Sequence, residues 1–254
     1  MKILASDFDN TLFFKDGVHK EDIEAIKRFQ EEGNLFGLCT GRQLQGIIYP
    51  RGNSKEYVHD EVDYDFYITV SGGVIFNKDR EVMFKKTIPL SVIKEISKVI
   101  PIHMSIVYKD DIYMYRPKEM AWGTIIDSLD ELTFEEADAF SFHFPEGDLE
   151  DAKNAMDYIN KNYSDTCAAF QNNNHVDVCG EGCSKGTGVK HVVDHFHINN
   201  EDVYGIGDSW NDLPLLDSVT HGYTFDYAPM DVKEKAEKVV SSLSEAIKDI
   251  MKED

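Results

Sequence analysis

Basic residues are scarce in this chain: lysine and arginine number 26 against 47 aspartates and glutamates, a formal net charge of −21 at pH 7. Nucleic acids and anionic membrane surfaces are gripped through basic patches that displace counterions, so a surface this acidic argues against both as partners. It also repels phosphorylated ligands at long range, so any anion site must be made locally positive by a metal ion, a lysine or a helix N-terminus. Long apolar runs are missing as well. None approaches the ~20 residues of a membrane span, and Met1 to Ser6 reads as core strand with no charged-then-apolar leader before it. Four cysteines (Cys39, Cys167, Cys179, Cys183) are few for 254 residues and read as free thiols in a reducing cytoplasm. The expectation is a cytoplasmic protein, a monomer or a weak homodimer. The apolar fraction of 42% and charged fraction of 29% are ordinary for a globular chain, and the length allows one large domain or two smaller ones.

Two acidic clusters stand out against this background. Asp7-Phe8-Asp9-Asn10-Thr11-Leu12 follows the apolar run Ile3-Leu4-Ala5, and Gly207-Asp208-Ser209-Trp210-Asn211-Asp212 follows Val203-Tyr204-Gly205-Ile206. Each reads as a short buried strand ending in carboxylates. In a parallel sheet the carboxyl ends of the strands share one edge, where ligands bind, so clusters about 200 residues apart can meet there. Four carboxylates brought together would repel one another and raise their pKa values unless a cation neutralised them. Oxygen-only ligands with room for water suit Mg²⁺. The physical reading is a magnesium site for an anionic substrate.

The rest of the pattern supplies the sheet. Strands are expected at Lys2–Ser6, Leu35–Cys39, Phe66–Val70, Val203–Gly207 and Val219–Thr224, with helices at Lys20–Glu32, Thr187–Phe196, Leu213–Asp217 and Leu243–Met251. Val74–Phe76 and Glu81–Lys85 read as a hairpin, and the stretch Gln43 to Tyr64 is broken at Pro50-Arg51-Gly52-Asn53. From Pro89 the rhythm changes. Helix Pro89–Ile100 precedes strands Met104–Tyr108 and Ile112–Arg116, Met120–Leu132 reads as a helix, and Ala139–Phe144 as a strand. Helix Leu149–Asn162 then precedes strands Thr166–Gln171 and His175–Cys179. This implies one antiparallel sheet backed by helices. Residues 1–84 and 183–254 are thus expected to form one discontinuous α/β domain, with residues 85–182 inserted into it.

Four segments together resemble a known family. Asp-x-Asp-x-Thr-Leu at Asp7–Leu12, the strand-then-Thr form of Leu38-Cys39-Thr40-Gly41-Arg42, Cys183-Ser184-Lys185-Gly186-Thr187 and Gly207-Asp208-Ser209-Trp210-Asn211-Asp212 resemble, in type and order, the motifs of the haloacid dehalogenase superfamily, in its Cof-type branch. The resemblance implies a Rossmann-like, doubly wound parallel sheet with an α+β cap (type IIB) inserted between the second and third motifs. It further implies a Mg²⁺-dependent phosphatase of small phosphorylated metabolites, with sugar phosphates or phosphorylated cofactors favoured.

Asp7 would be the nucleophile that forms an aspartyl-phosphate. Asp9 would act as acid and then base, with its backbone carbonyl on the metal. Asp208 would bind the metal directly, Asp212 would hold a metal-bound water, and Asn211 would bond nearby. Thr40, through its hydroxyl and backbone N–H, and Gly41 beside it would bind phosphate or substrate, and Arg42 would reach the substrate or fix the cap. Lys185 would cancel charge between phosphate and Asp7. Two alternatives stand beside this: a phosphotransferase or phosphomutase that uses the same aspartyl-phosphate but passes the group to a sugar hydroxyl, and a non-catalytic phospho-acceptor or ligand-sensing module, which would not need Asp9 as an acid. The chain departs from the branch at Ser71-Gly72-Gly73, where Asn-Gly-Ala is common, and at Asn10, where many members have Gly. Specificity is expected to come from a loop of the insert, either Lys109-Asp110-Asp111 or Asn172–His175. Cys179, Cys183, His191 and His195 only superficially suggest zinc, since the interval from Cys183 to His191 is shorter than the finger spacing of about twelve residues.

Overall fold

The structure is a computed structural model that describes residues 1–48, 62–109, 111–117 and 123–252. Along the chain these residues form β1 (Ile3–Ser6), α1 (Lys20–Glu31), β2 (Leu35–Cys39), β3 (Phe66–Thr69), β4 (Val74–Asn77) and β5 (Val82–Lys85). There follow α2 (Leu90–Val99), β6 (Met104–Tyr108), β7 (Asp111–Tyr115), β8 (Thr124–Ile126), β9 (Ala139–His143), α3 (Leu149–Asn162), β10 (Cys167–Asn172) and β11 (His175–Gly180). The chain closes with α4 (Lys185–Phe196), β12 (Val203–Ile206), β13 (His221–Phe225), β14 (Lys238–Val240) and α5 (Leu243–Ile250).

The larger sheet runs β14-β13-β12-β1-β2-β3-β4-β5. Its strands are parallel from β14 to β3, and β4 and β5 close one edge antiparallel. Strands as uniformly apolar as β1 require cover on both faces. Leu4, Phe36 and Leu38 pack against Ile23, Ile26 and Phe29 of α1 and Leu243 and Ile247 of α5. On the other face Ile3, Ala5 and Ile68 pack against Val189, Val192 and Val193 of α4. Each such buried aliphatic or aromatic side chain contributes roughly 1.5–3 kcal/mol. The apolar spacing of α1 (23, 26, 29) sets which side of that helix faces the sheet.

The second sheet, β8-β7-β6-β9-β11-β10, lies between β5 and α4 in the chain. One face is apolar: Ile106, Phe140, Phe142, Val176 and Val178 pack with Ile93 and Ile96 of α2 and Ala152 and Ile159 of α3. The other face carries Ser105, Ser141, His143, His175 and Asp177, and looks toward the larger sheet. There Val107 and Ala139 meet Val70 and Val74. The molecule is thus a doubly wound α/β core with an inserted α+β cap.

Some expectations fail. Met120–Leu132 is not a helix; its described part holds strand β8 and a 3-10 turn at Leu129–Glu131. The β-branched run Thr124-Ile125-Ile126 favours the strand, and Ser128 and Glu131 form a capping box that starts a new turn. The second sheet is not wholly antiparallel, because β7 and β8 pair parallel. Short pairings escape periodicity altogether: Phe13–Phe14 with Gly17–Val18, and Ile88–Pro89 with Glu136–Ala137. The expected break at Pro50–Asn53 lies outside the described residues.

Candidate active site

The site forms where register brings three strand ends level. Ser6 pairs with Leu38 on one side and Ile206 on the other, so Asp7, Thr40 and Asp208 follow the ends of neighbouring parallel strands. Asp7 is 5% exposed, and its N–H donates to the Ile206 carbonyl at 2.9 Å. Lys185 is the first residue of α4 after the N-cap Ser184, and it is 1% exposed. Its Nζ lies 2.6 Å from Asp7 Oδ1 and also donates to Asp212 Oδ1. Asp212 Oδ2 accepts the backbone N–H groups of Asp208 and Ser209, both at 3.0 Å. A Cβ at position 207 would fall 2.3 Å from Asp212 Cγ. Glycine there is what lets that carboxylate fold back over the strand end.

The result is one lysine ringed by acids. Asp7, Asp208 and Asp212 each bring a carboxylate oxygen within 4.8 Å of the others. Thr11 Oγ1 donates to Asp208 Oδ1 at 3.2 Å, which leaves Asp7 Oδ2 and Asp208 Oδ2 without a hydrogen-bond donor among the described residues. Burial raises the Asp7 carboxyl well above the ordinary range, and Asp212 adds to the effect. Burial, then Asp212, pushes Asp208 up to about 7. Burial alone would lower Lys185, but the Asp212 and Asp7 carboxylates outweigh it and hold the ammonium charged. Carboxylates raised in this way are those a bound cation would return to the ionised state.

Beside this cluster opens a cavity of about 150 Å³. Of the residues expected in the site, Asp7, Asp9, Thr40, Gly41, Arg42, Asp208 and Asn211 line it, while Lys185 and Asp212 stand behind as supports. Asp9 lies away from the carboxylate trio. Its two oxygens accept Nε and Nη2 of Arg42, each at 2.7 Å, and Arg42 Nη1 donates to the Gly46 carbonyl at 2.8 Å. The expectation for Arg42 is to reach the substrate or fix the cap; its guanidinium grips Asp9 at the cavity wall. The Thr40 backbone N–H, expected at the phosphate, instead donates to the Ile68 carbonyl at 2.8 Å, because the parallel ladder continues one residue past β2. Its hydroxyl accepts the Arg42 N–H at 3.2 Å and keeps its own proton to donate. Asn10 adopts φ 56, a left-handed conformation that glycine or asparagine tolerates, which accounts for the residue types found there.

Sequence reasoning missed Asp177, which reaches the cavity from β11; of its two candidate loops, Asn172 and Asn173 line the cavity with it. Lys109 instead borders a separate cavity of about 250 Å³ between Val70, Val74, Phe76 and Val107. Asp110 lies outside the described residues. Ser71, with φ 55 between Val70 (φ 44) and Gly72 (φ 92), buries a hydroxyl that has no hydrogen-bond partner among the described residues.

Comparison with known proteins fits this arrangement. The family model of haloacid dehalogenase-like hydrolases matches residues 4–249. A Bacillus subtilis protein named 5-amino-6-(5-phospho-D-ribitylamino)uracil phosphatase is 23% identical over 281 residues, covering 96% of this chain and 94% of its own. A solved structure described as a subclass IIB sugar phosphatase of this superfamily superposes with a TM-score of 0.82 at 24% identity, over 99% of both chains. A phosphatase of the superfamily from Bacteroides thetaiotaomicron does so at 0.81 with 21% identity, over 99% of this chain and 95% of its own. At such identities the structures establish a shared fold, and the family match spans nearly the whole sequence: the chain belongs to the haloacid dehalogenase-like hydrolases.

Proposed function

We propose that this phosphatase hydrolyses small phosphorylated metabolites, sugar phosphates or phosphorylated cofactors, with Mg²⁺ and through an aspartyl-phosphate on Asp7. One observation carries the reading: a buried lysine clamped between Asp7 and Asp212, just behind a polar cavity that Asp7 lines and that is large enough for a phosphoryl group. The names of the relatives, a ribitylaminouracil-phosphate phosphatase and a sugar phosphatase, support the substrate class.

The donor set fits a hard divalent cation, since Asp7, Asp208 and Asp212 offer carboxylate oxygens only. Asp7 and Asp208 would hold Mg²⁺, with the Asp9 carbonyl, while Asp212, already bonded to Lys185 and two amides, would hold a water beside it. Bound there, Mg²⁺ would neutralise charge on the phosphoryl oxygens. Asp7 Oδ2 attacks phosphorus, forming the acyl phosphate bond as the bond to the leaving oxygen breaks. Asp9 gives that oxygen a proton and then takes one from the water that attacks phosphorus, which releases phosphate and restores Asp7. To carry the proton, Asp9 gives up part of its grip on Arg42. Lys185 fixes Asp7 and offsets developing charge, while the Thr40 hydroxyl and Asn211 orient the phosphoryl group. The insert, residues 85–182, closes the cavity over the leaving group. Purified protein should release phosphate from a generic aryl phosphate with Mg²⁺ and stop on chelation; full activity in excess chelator would refute the metal role. Product analysis with an added sugar acceptor distinguishes hydrolysis from phosphotransfer.

A further inference from the structure

The groups that handle the phosphoryl unit line one wall of the cavity, whereas Asp177 of β11 and Asn172 and Asn173, at and just beyond the end of β10, enter from the cap. Asp177 comes close to the core. A Cβ at position 41 would fall 2.8 Å from Asp177 Oδ2, so glycine at 41 lets the cap carboxylate sit beside the loop that follows β2. Asp177 Oδ1 accepts the Ser141 hydroxyl at 2.7 Å. Its Oδ2 has a single long contact, Asn172 Nδ2 at 3.5 Å, near the limit of a useful hydrogen bond.

The charges on the two walls are held differently. On the core wall Asp7 and Asp212 share Lys185, Asp9 is matched by Arg42, and Asp208 belongs to the carboxylate trio that a cation would neutralise. Among the described residues, Asp177 has no ion-pair partner and Arg42 is the only lysine or arginine that lines the cavity. The neighbouring His175 is held below the ordinary imidazole range by burial, so it brings no charge at pH 7. A half-buried carboxylate with one poorly satisfied oxygen is best met by O–H or N–H donors and worst by another anion.

We infer that Asp177 is a specificity residue through which the cap wall admits leaving groups rich in hydroxyl or amino donors and rejects those bearing a second anionic group. This rests on the phosphatase reading and narrows it: monophosphates of polyols are taken, whereas bisphosphates and phosphorylated acids are refused.

The test compares two ligands that differ by one phosphoryl group, fructose 6-phosphate and fructose 1,6-bisphosphate. Calorimetric binding to the full-length Asp7→Asn protein with Mg²⁺ should favour the monophosphate by about tenfold or more. Adding Asp177→Asn should bring the ratio of affinities toward one. Adding Asn173→Asp instead should raise it; that side chain is exposed, and its φ of 51 is one that aspartate tolerates, so the variant keeps the test usable if Asp177→Asn misfolds. Equal or undetectable binding of the two sugars, or a preference unmoved by both variants, would overturn the inference. Failure of the wild-type protein to release phosphate from p-nitrophenyl phosphate would instead overturn the phosphatase reading, while the binding ratio would still decide charge selection.

Discussion

On the core side of the cavity, the structure rests on opposed charges packed out of water. On the cap side it rests on a row of hydrogen-bonding groups laid across three strands. Lys185 touches two carboxylates within a site that is nearly solvent-free. Across from it, His175 Nδ1 meets His143 Nδ1 at 3.0 Å and His143 Nε2 meets Ser105 Oγ at 2.8 Å, while Ser141 bonds Asp177 in the neighbouring row. In the first arrangement each member depends on the others for its charge state, so a single removal is severe. In the second, each bond is worth about 1 kcal/mol and the row is neutral apart from Asp177. A change in the core cluster is therefore expected to be severe, and one in the cap row mild.

The sharpest way to break that contrast is Asp7→Asn. It keeps the side-chain shape and one acceptor for Lys185 but removes the attacking oxygen, so turnover should fall by about 10⁴ or more with the far-ultraviolet circular dichroism unchanged. Wild-type phosphate release from this variant would remove the nucleophile assignment. Lys185→Met comes next. It leaves Asp7 and Asp212 facing each other in a buried site, so unfolding by urea should show a loss of about 3–5 kcal/mol and phosphate release should slow by about 10²–10³. A variant as stable and as fast as wild type would mean that the lysine is not the hub of the cluster.

Legibility in the sequence follows the same division. Asp7 and Asp208 are legible because each lies within two residues of a strand end, and strand ends of a parallel sheet share an edge; Thr40 comes from the resemblance. Lys185 had to come from resemblance, since nothing in local periodicity says that a lysine is buried. The partner of Arg42 and the engagement of the Thr40 amide depend on how loops cross, which spacing does not encode. Asp177 was invisible for a different reason. Between Val176 and Val178 it looks like the solvent-facing residue of an alternating strand, and only the seating of the cap on the core turns that face inward. The helix expected at Met120–Leu132 shows a related limit, because a β-branched run of three residues becomes a strand only where a neighbour, here β7, pairs with it.

On the cap side the expected effects are smaller and depend on pH. Burial, helped by His175 and His103, pushes His143 down to about 3, whereas an unfolded histidine takes its proton near 6.5. Between those values the unfolded chain binds more protons, so stability rises with pH there. The contribution is complete above about 6.5 and is lost at ~1.4 kcal/mol per pH unit on the way down. The difference in unfolding free energy between wild type and His143→Gln should therefore shrink by about 2–3 kcal/mol between pH 6 and pH 4. A difference that stays flat over that range would show that His143 is not held neutral by the fold.

The smallest effect on stability, and the most selective on rate, belongs to the partly exposed ion pair at the core wall of the cavity. Arg42 holds Asp9 by a two-pronged bond, yet the side chains are 30% and 45% exposed. Such pairs contribute at most about 1 kcal/mol, so Arg42→Lys should scarcely move the midpoint of denaturation. Lysine keeps the charge but not the planar fork that fixes the carboxylate, so Asp9 would be less well aimed at the leaving oxygen. General acid catalysis matters most when that oxygen is a poor leaving group. Hydrolysis of an alkyl phosphate such as a sugar ester should then slow by about tenfold more than hydrolysis of p-nitrophenyl phosphate, whose phenolate departs unaided. Equal slowing of both esters would place Arg42 on the phosphoryl group and not on the acid that serves the leaving group.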